Sequence, residues 1–159
     1  MQIYLLISKW QIFSNFFNRY LENNVTPYDY KDGLVYIDKN ENGGVFSDSK
    51  MLWVLGNYSR FIRPGMKRIG VESSEDTNLE FSGYKSDDEK QLVFIVQNYK
   101  SLASDFQVSI DSLEDYSFKA YLTSTGEEDN LKLVSSGNTG DSLTIPGNSV
   151  MTVELNVKQ

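Results

Sequence analysis

The chemistry open to this chain is narrowed first by two absences. Its 159 residues contain no histidine and no cysteine. Imidazole bases, imidazole ligands, thiolate nucleophiles, zinc–thiolate sites and disulfides are therefore all excluded. Acid–base work would fall to the 22 Asp and Glu, to Tyr or to Lys. Ser47, Ser59 and Ser149 have no histidine to activate them, which removes the usual serine nucleophile. Acidic runs at residues 86–89 (SDDE), 111–115 (DSLED) and 126–130 (GEEDN) lack the spaced oxygen ligands and fixed glycine of a calcium loop. They read as solvated turns, and no metal or cofactor is expected. Asn40-Glu41, followed by Asn42 and two glycines, also has turn composition. Gly43-Gly44, and the glycines at 137 and 140, precede strands or sharp turns without the Lys-Ser/Thr pair of a phosphate-binding loop.

Aromatic side chains are the remaining chemical resource: ten Tyr, nine Phe and two Trp. Their flat apolar rings can stack on sugar C–H faces. Phe94, Phe106 and Phe118 stand among alternating polar residues and read as core positions of strands; Trp53 sits at a helical spacing and reads as packing.

The elements that must position these groups fall into two regions. Residues 1–71 hold 9 Lys and Arg against 6 Asp and Glu, whereas residues 72–159 hold 6 against 16. The net charge of -7 argues against nucleic acid, which requires a basic surface. In the first region, Trp10, Phe13, Phe16, Phe17, Tyr20 and Leu21 predict one amphipathic helix over residues 9–23. Met51, Val54, Leu55, Tyr58, Phe61 and Ile62 predict a second over 50–62, with Ser47 to Ser49 as cap candidates and Pro64-Gly65 as its stop. Between them a turn at Asp32-Gly33, a strand at 34–38 and a Gly-rich loop are expected. Beyond Pro64, eight runs of strand character separated by polar turns predict an antiparallel β-sandwich of about eight strands, making the chain mainly β, with two helices in front. In the last strand Val150, Thr152, Glu154 and Asn156 should form a wet face, and Met151, Val153, Leu155 and Val157 a dry one. The opening apolar run is broken by Lys9 and Trp10 and no small-residue cleavage site follows, so it is not read as a signal peptide. Nothing approaches the ~18 apolar residues of a membrane span.

The run Ser59-Arg60-Phe61-Ile62-Arg63-Pro64-Gly65, followed by Arg68-Ile69, resembles the junction in family 30 of the glycoside hydrolases, where the last helix of a (β/α)8 barrel enters a C-terminal β-sandwich. The tail, with Pro146, Ser149 and Thr152, is similar to the late strands of that sandwich. The resemblance implies a boundary near Gly65, with residues 1–65 corresponding to the end of the barrel and 66–159 to the sandwich. It makes Arg60, Phe61, Arg63, Pro64, Gly65 and Arg68 the joint, the arginines supplying charge there. It places Tyr28, Tyr30 and Tyr36 near the barrel mouth as sugar-stacking candidates. Retaining glycosidases need two carboxylates about 5 Å apart at that mouth. In the family both lie on earlier barrel strands, the acid within Asn-Glu-Pro, which this chain lacks. No catalytic residue is therefore assigned. The implied function is a non-catalytic, carbohydrate-associated sandwich of a xylan- or glucan-degrading glycosidase, with polysaccharide as the partner and an extracellular setting suggested by the full-length relatives. One alternative is an interaction module that uses its aromatic helix faces to form a homodimer or to dock on a separate chain. The other is part of an active enzyme, if upstream sequence supplies the barrel.

Overall fold

The computed structural model describes residues 33–40, 43–73, 79–111 and 115–157. The helix expected over 9–23, and Tyr28 and Tyr30, lie outside the described residues. The chain divides into two compact units, Met1–Met51 and Leu52–Gln159.

In the first unit, β1 (Val35–Asn40) and β2 (Gly43–Asp48) form an antiparallel hairpin in register from Val35 opposite Asp48 to Asn40 opposite Gly43. The strand expected at 34–38 is present. The Gly-rich loop is shorter than its composition implied, because Gly43 and Gly44 are the first two residues of β2. Glycine weakens a strand without forbidding one, and here the pairing with Lys39 and Asn40 holds both in the ladder. The base of the hairpin is tied by Ser49, whose amide and hydroxyl both donate to Leu34 O, at 3.0 and 3.1 Å.

Helix α1 (Lys50–Ser59) leads into the second unit, which contains eight strands among its described residues. These are β3 (Lys67–Ile69), β4 (Leu79–Lys85), β5 (Gln91–Asn98), β6 (Ser104–Phe106), β7 (Tyr116–Thr123), β8 (Lys132–Asn138), β9 (Leu143–Ile145) and β10 (Ser149–Val157). Each falls within or overlaps one of the eight runs of strand character. Six of them make one antiparallel sheet in the order β3-β4-β5-β10-β7-β8; β6 and β9 pair separately.

The inner face of the large sheet is a continuous apolar surface. Leu92, Phe94 and Val96 of β5 lie opposite Leu155, Val153 and Met151 of β10, which in turn face Phe118, Ala120 and Leu122 of β7. Together with Phe106, Leu143 and Ile145 of the small sheet they form the core. This is the dry face predicted for β10. The other face is not uniformly wet. Val150 and Thr152 are buried, Glu154 is intermediate, and only Asn156 is exposed. Alternation in the sequence marks which residues share a face, and says nothing of what lies across it. Here α1 lies across it.

Candidate functional site: the joint between helix and sandwich

Helix α1 meets the outer face of the large sheet through Val54, Asn57, Tyr58 and, two residues past its end, Phe61. Val54 is 2% exposed, Asn57 0% and Phe61 6%. Leu55, expected on this face, is 45% exposed. The docked line is therefore 54, 57, 58, 61, with Tyr58 half-buried, a regular i, i+3, i+4, i+7 stripe with an asparagine at its centre.

Burying an unpaired amide would cost several kcal/mol, and the structure satisfies this one completely. Asn57 Nδ2 donates to Trp53 O and to Thr123 Oγ1, each at 2.9 Å. Thr152 Oγ1 donates to Asn57 Oδ1 at 2.9 Å, with Asn57 O at 3.1 Å from the same hydroxyl. Thr123 Oγ1 also accepts from Leu131 N at 3.1 Å. One helix side chain thus links β7 and β10, two adjacent strands. Beside it, Gln97 Nε2 of β5 donates to Tyr58 Oη, and Tyr99 Oη donates to Gln97 Oε1 at 2.7 Å. Burial pushes the Tyr58 phenol up to about 12, with the neighbouring Tyr84 phenol acting in the same direction. Tyr99 is shifted upward too, first by burial and then by Glu80. At Gly56 the helix comes close to Leu131: a Cβ there would stand 2.8 Å from Leu131 Cδ1, so a larger residue would need the Leu131 side chain to move.

The chain leaves α1 through a tight turn. Pro64 and Gly65 occupy its central positions, Gly65 has φ +93°, and Met66 N donates to Arg63 O at 3.1 Å. Proline followed by a left-handed residue is the type II arrangement, which explains why the Pro-Gly pair ends the helix and restarts the chain as β3. The arginines serve this geometry in different ways. Arg63 Nη1 donates to Ser59 O at 3.2 Å, satisfying a carbonyl at the helix end. Arg60 Cζ lies 5.5 Å from the centroid of the Phe61 ring and 5.6 Å from that of Tyr121, and those two rings are 4.8 Å apart. The cation therefore lies over an aromatic pair. Arg68 is exposed in β3, opposite Tyr84. Phe61, Pro64 and Gly65 lie at the joint, where the chain passes from α1 to β3. Asn57, which completes it, was missed because a polar residue inside an apolar stripe reads as a surface position.

Of the three tyrosines considered for sugar stacking, Tyr36 is described. It is half-buried in β1, and its hydroxyl accepts from Gly33 N at 3.0 Å. A cleft of about 570 Å³ opens elsewhere in the second unit, floored by core side chains including Phe81, Phe94, Phe106 and Tyr116, with Glu72 and Asp105 among its polar lining. Tyr116 Oη closes one wall by donating to Val108 O. Asp88 is held below the ordinary carboxylate range, first by the Ser86 hydroxyl at 2.6 Å and then by Lys90 N at 3.2 Å. That is opposite to the shift a general acid needs. Among the described residues no cluster of three or more acidic side chains is placed to hold a metal ion.

A sheet of six strands packed on a smaller one, joined by a type II turn to a helix laid across its outside, defines a helix-capped β-sandwich. The family model of the glycosyl hydrolase family 30 beta sandwich domain matches residues 65–153, more than half of the chain, and the chain belongs to that family. Its similarity to solved structures runs the same way. An endoxylanase of family 30 from Clostridium papyrosolvens C71 superposes with a TM-score of 0.59 at 24% identity, covering 69% of this chain and 28% of that one. A conserved exported protein from Bacteroides fragilis gives 0.64 at 28% identity, covering 76% and 26%. A family 30 subfamily 8 xylanase from Clostridium acetobutylicum gives 0.61 at 17%, covering 70% and 29%. This chain therefore spans less than a third of the length of the proteins it matches.

Proposed function

We propose that the 159 residues act as a non-catalytic, carbohydrate-associated sandwich of a xylan- or glucan-degrading family 30 glycosidase. The observation that carries this reading is the family match over residues 65–153, with the xylanases above as structural relatives. Sugar contact, on this reading, falls to Tyr36 together with Tyr28 and Tyr30. An extracellular setting accords with the exported relative from Bacteroides fragilis. Among the described residues no helix is long and apolar enough to cross a membrane.

The test is direct. The purified chain should release no reducing sugar from xylan or β-glucan and no aglycone from aryl glycosides. Turnover abolished by replacing one particular carboxylate would overturn the proposal and favour the active-enzyme alternative. That alternative would also gain from an upstream reading frame encoding barrel strands with Asn-Glu-Pro.

A second reading, an interaction module that pairs with itself or docks on a separate chain, draws on the exposed apolar residues Leu55 on α1 and Leu133 and Val134 on β8. Sedimentation tests its self-pairing arm. A single species at the monomer mass across concentration excludes self-pairing.

A further inference from the structure

The geometry points to Asn57 as an orientation key, a residue that lets α1 dock on the sheet at one depth and one rotation only. The apolar contacts beneath the helix do not supply this by themselves. Val93, Ile95 and Val150 on the outer face and Val54 on the helix are all buried, and apolar contact is non-directional, so a helix resting on such a surface can slide or roll at little penalty. Hydrogen bonds remove that freedom. Asn57 has its amide nitrogen and its amide oxygen matched to hydroxyls on two different strands, at 2.9 Å each. A slide of one helical turn, about 5.4 Å, would bring Trp53 or Phe61 to this place, leave a buried amide and the buried Thr152 hydroxyl without these partners, and leave Thr123 Oγ1 with Leu131 N alone. A single polar residue in an apolar helix seam fixes register in coiled coils by the same physics, at some loss of stability. Gly56 stands close to Leu131 beside this site, where an added Cβ would meet the Leu131 Cδ1 methyl at 2.8 Å.

The inference concerns uniqueness of docking, and a purely stabilising role would give different data. N57A should lower the melting temperature by several degrees. N57L/T152V replaces the central pair with apolar groups of nearly the same shape and retains the Thr123 hydroxyl for Leu131 N. This double variant should regain much of the lost melting temperature, yet α1 amides should exchange about tenfold faster than in the parent while β5 amides are unchanged. T152S, which keeps the hydroxyl, should match the parent in both readouts. The inference fails if N57A melts like the parent. It fails equally if N57L/T152V keeps parental exchange in α1, because apolar packing then orients the helix unaided. Should the double variant not fold, T152V against T152S decides: faster exchange in α1 for T152V alone supports the key, and equal exchange refutes it.

Discussion

The two faces of the large sheet are held by different physics, although the same strands make both. On the inner face β5, β10 and β7 present Leu92, Phe94, Val96, Met151, Val153, Leu155, Phe118, Ala120 and Leu122, and contact there is apolar throughout. On the outer face the same strands present Gln97, Thr152 and Thr123 beside the buried Val93, Ile95 and Val150, and the three polar residues meet α1 through hydrogen bonds. Apolar burial scales with area and tolerates exchange of shapes of equal volume. A satisfied buried polar network is conditional instead: removing one member strands the others. The sandwich thus has a core that supplies most of its stability and an outer joint that specifies where the helix goes.

The largest expected effect breaks the comparison on the inner side. Leu155 is fully buried between Leu92 and Phe118 in the ladder. Leu155→Ala should reduce unfolding free energy by about 2–5 kcal/mol, from lost transfer energy plus the cavity left behind; urea denaturation measures this directly. A loss below 1 kcal/mol would mean that the inner face can collapse around the cavity.

A smaller effect, and one confined to the outer side, comes from alkali. The Tyr58 phenol is raised from 10.0 to about 12 in the folded chain, first by burial. A raised folded value means that the neutral form is favoured by folding. Its contribution is therefore complete below pH 10 and is lost as pH rises toward 12. The full size is on the order of 3 kcal/mol, from the rise from 10.0 to about 12 on folding. Tyr58→Phe should flatten the fall in stability across this window, read as the difference in denaturation midpoints at pH 9 and pH 11.5. Parallel curves for the two proteins would show that Tyr58 ionises freely at the joint.

The smallest expected effect tests a charge that belongs to neither face. Lys67 Nζ lies 2.9 Å from Asp87 Oδ1, with both side chains largely exposed. Screening and side-chain entropy leave such pairs with little net influence. Lys67→Ala should leave the thermal midpoint unchanged within error. A clear drop would promote the β3–β4 edge to a structural role that its three residues do not suggest.

Much of this architecture is legible in the sequence, and the exceptions share a cause. Period-two patterns of Val, Ile, Leu, Phe and Tyr placed all eight strands of the second unit. Pro64 after a helical run and Gly65 behind it marked the turn, because φ is restricted at one and free at the other. The start of β2 at Gly43 and Gly44 reads as loop because those residues have turn propensity, which cross-strand pairing with β1 overrides. Periodicity assigns Leu55 to the docked face and Asn57 to the solvent, and the structure exchanges them, since hydropathy ranks a side chain by what it does in water.

Sequence by itself determined the eight strands of the second unit, the helix, the Pro-Gly turn and the dry face of β10, all of which follow from local backbone preference and the periodicity of apolar side chains. Tertiary structure decided that the outer face of β10 is covered, that α1 covers it, and that Asn57 is a buried residue. Its hydroxyl partners lie 66 and 95 residues away along the chain. The value of a polar side chain in an interior depends on whether its partner arrives, and only the folded chain brings the two together.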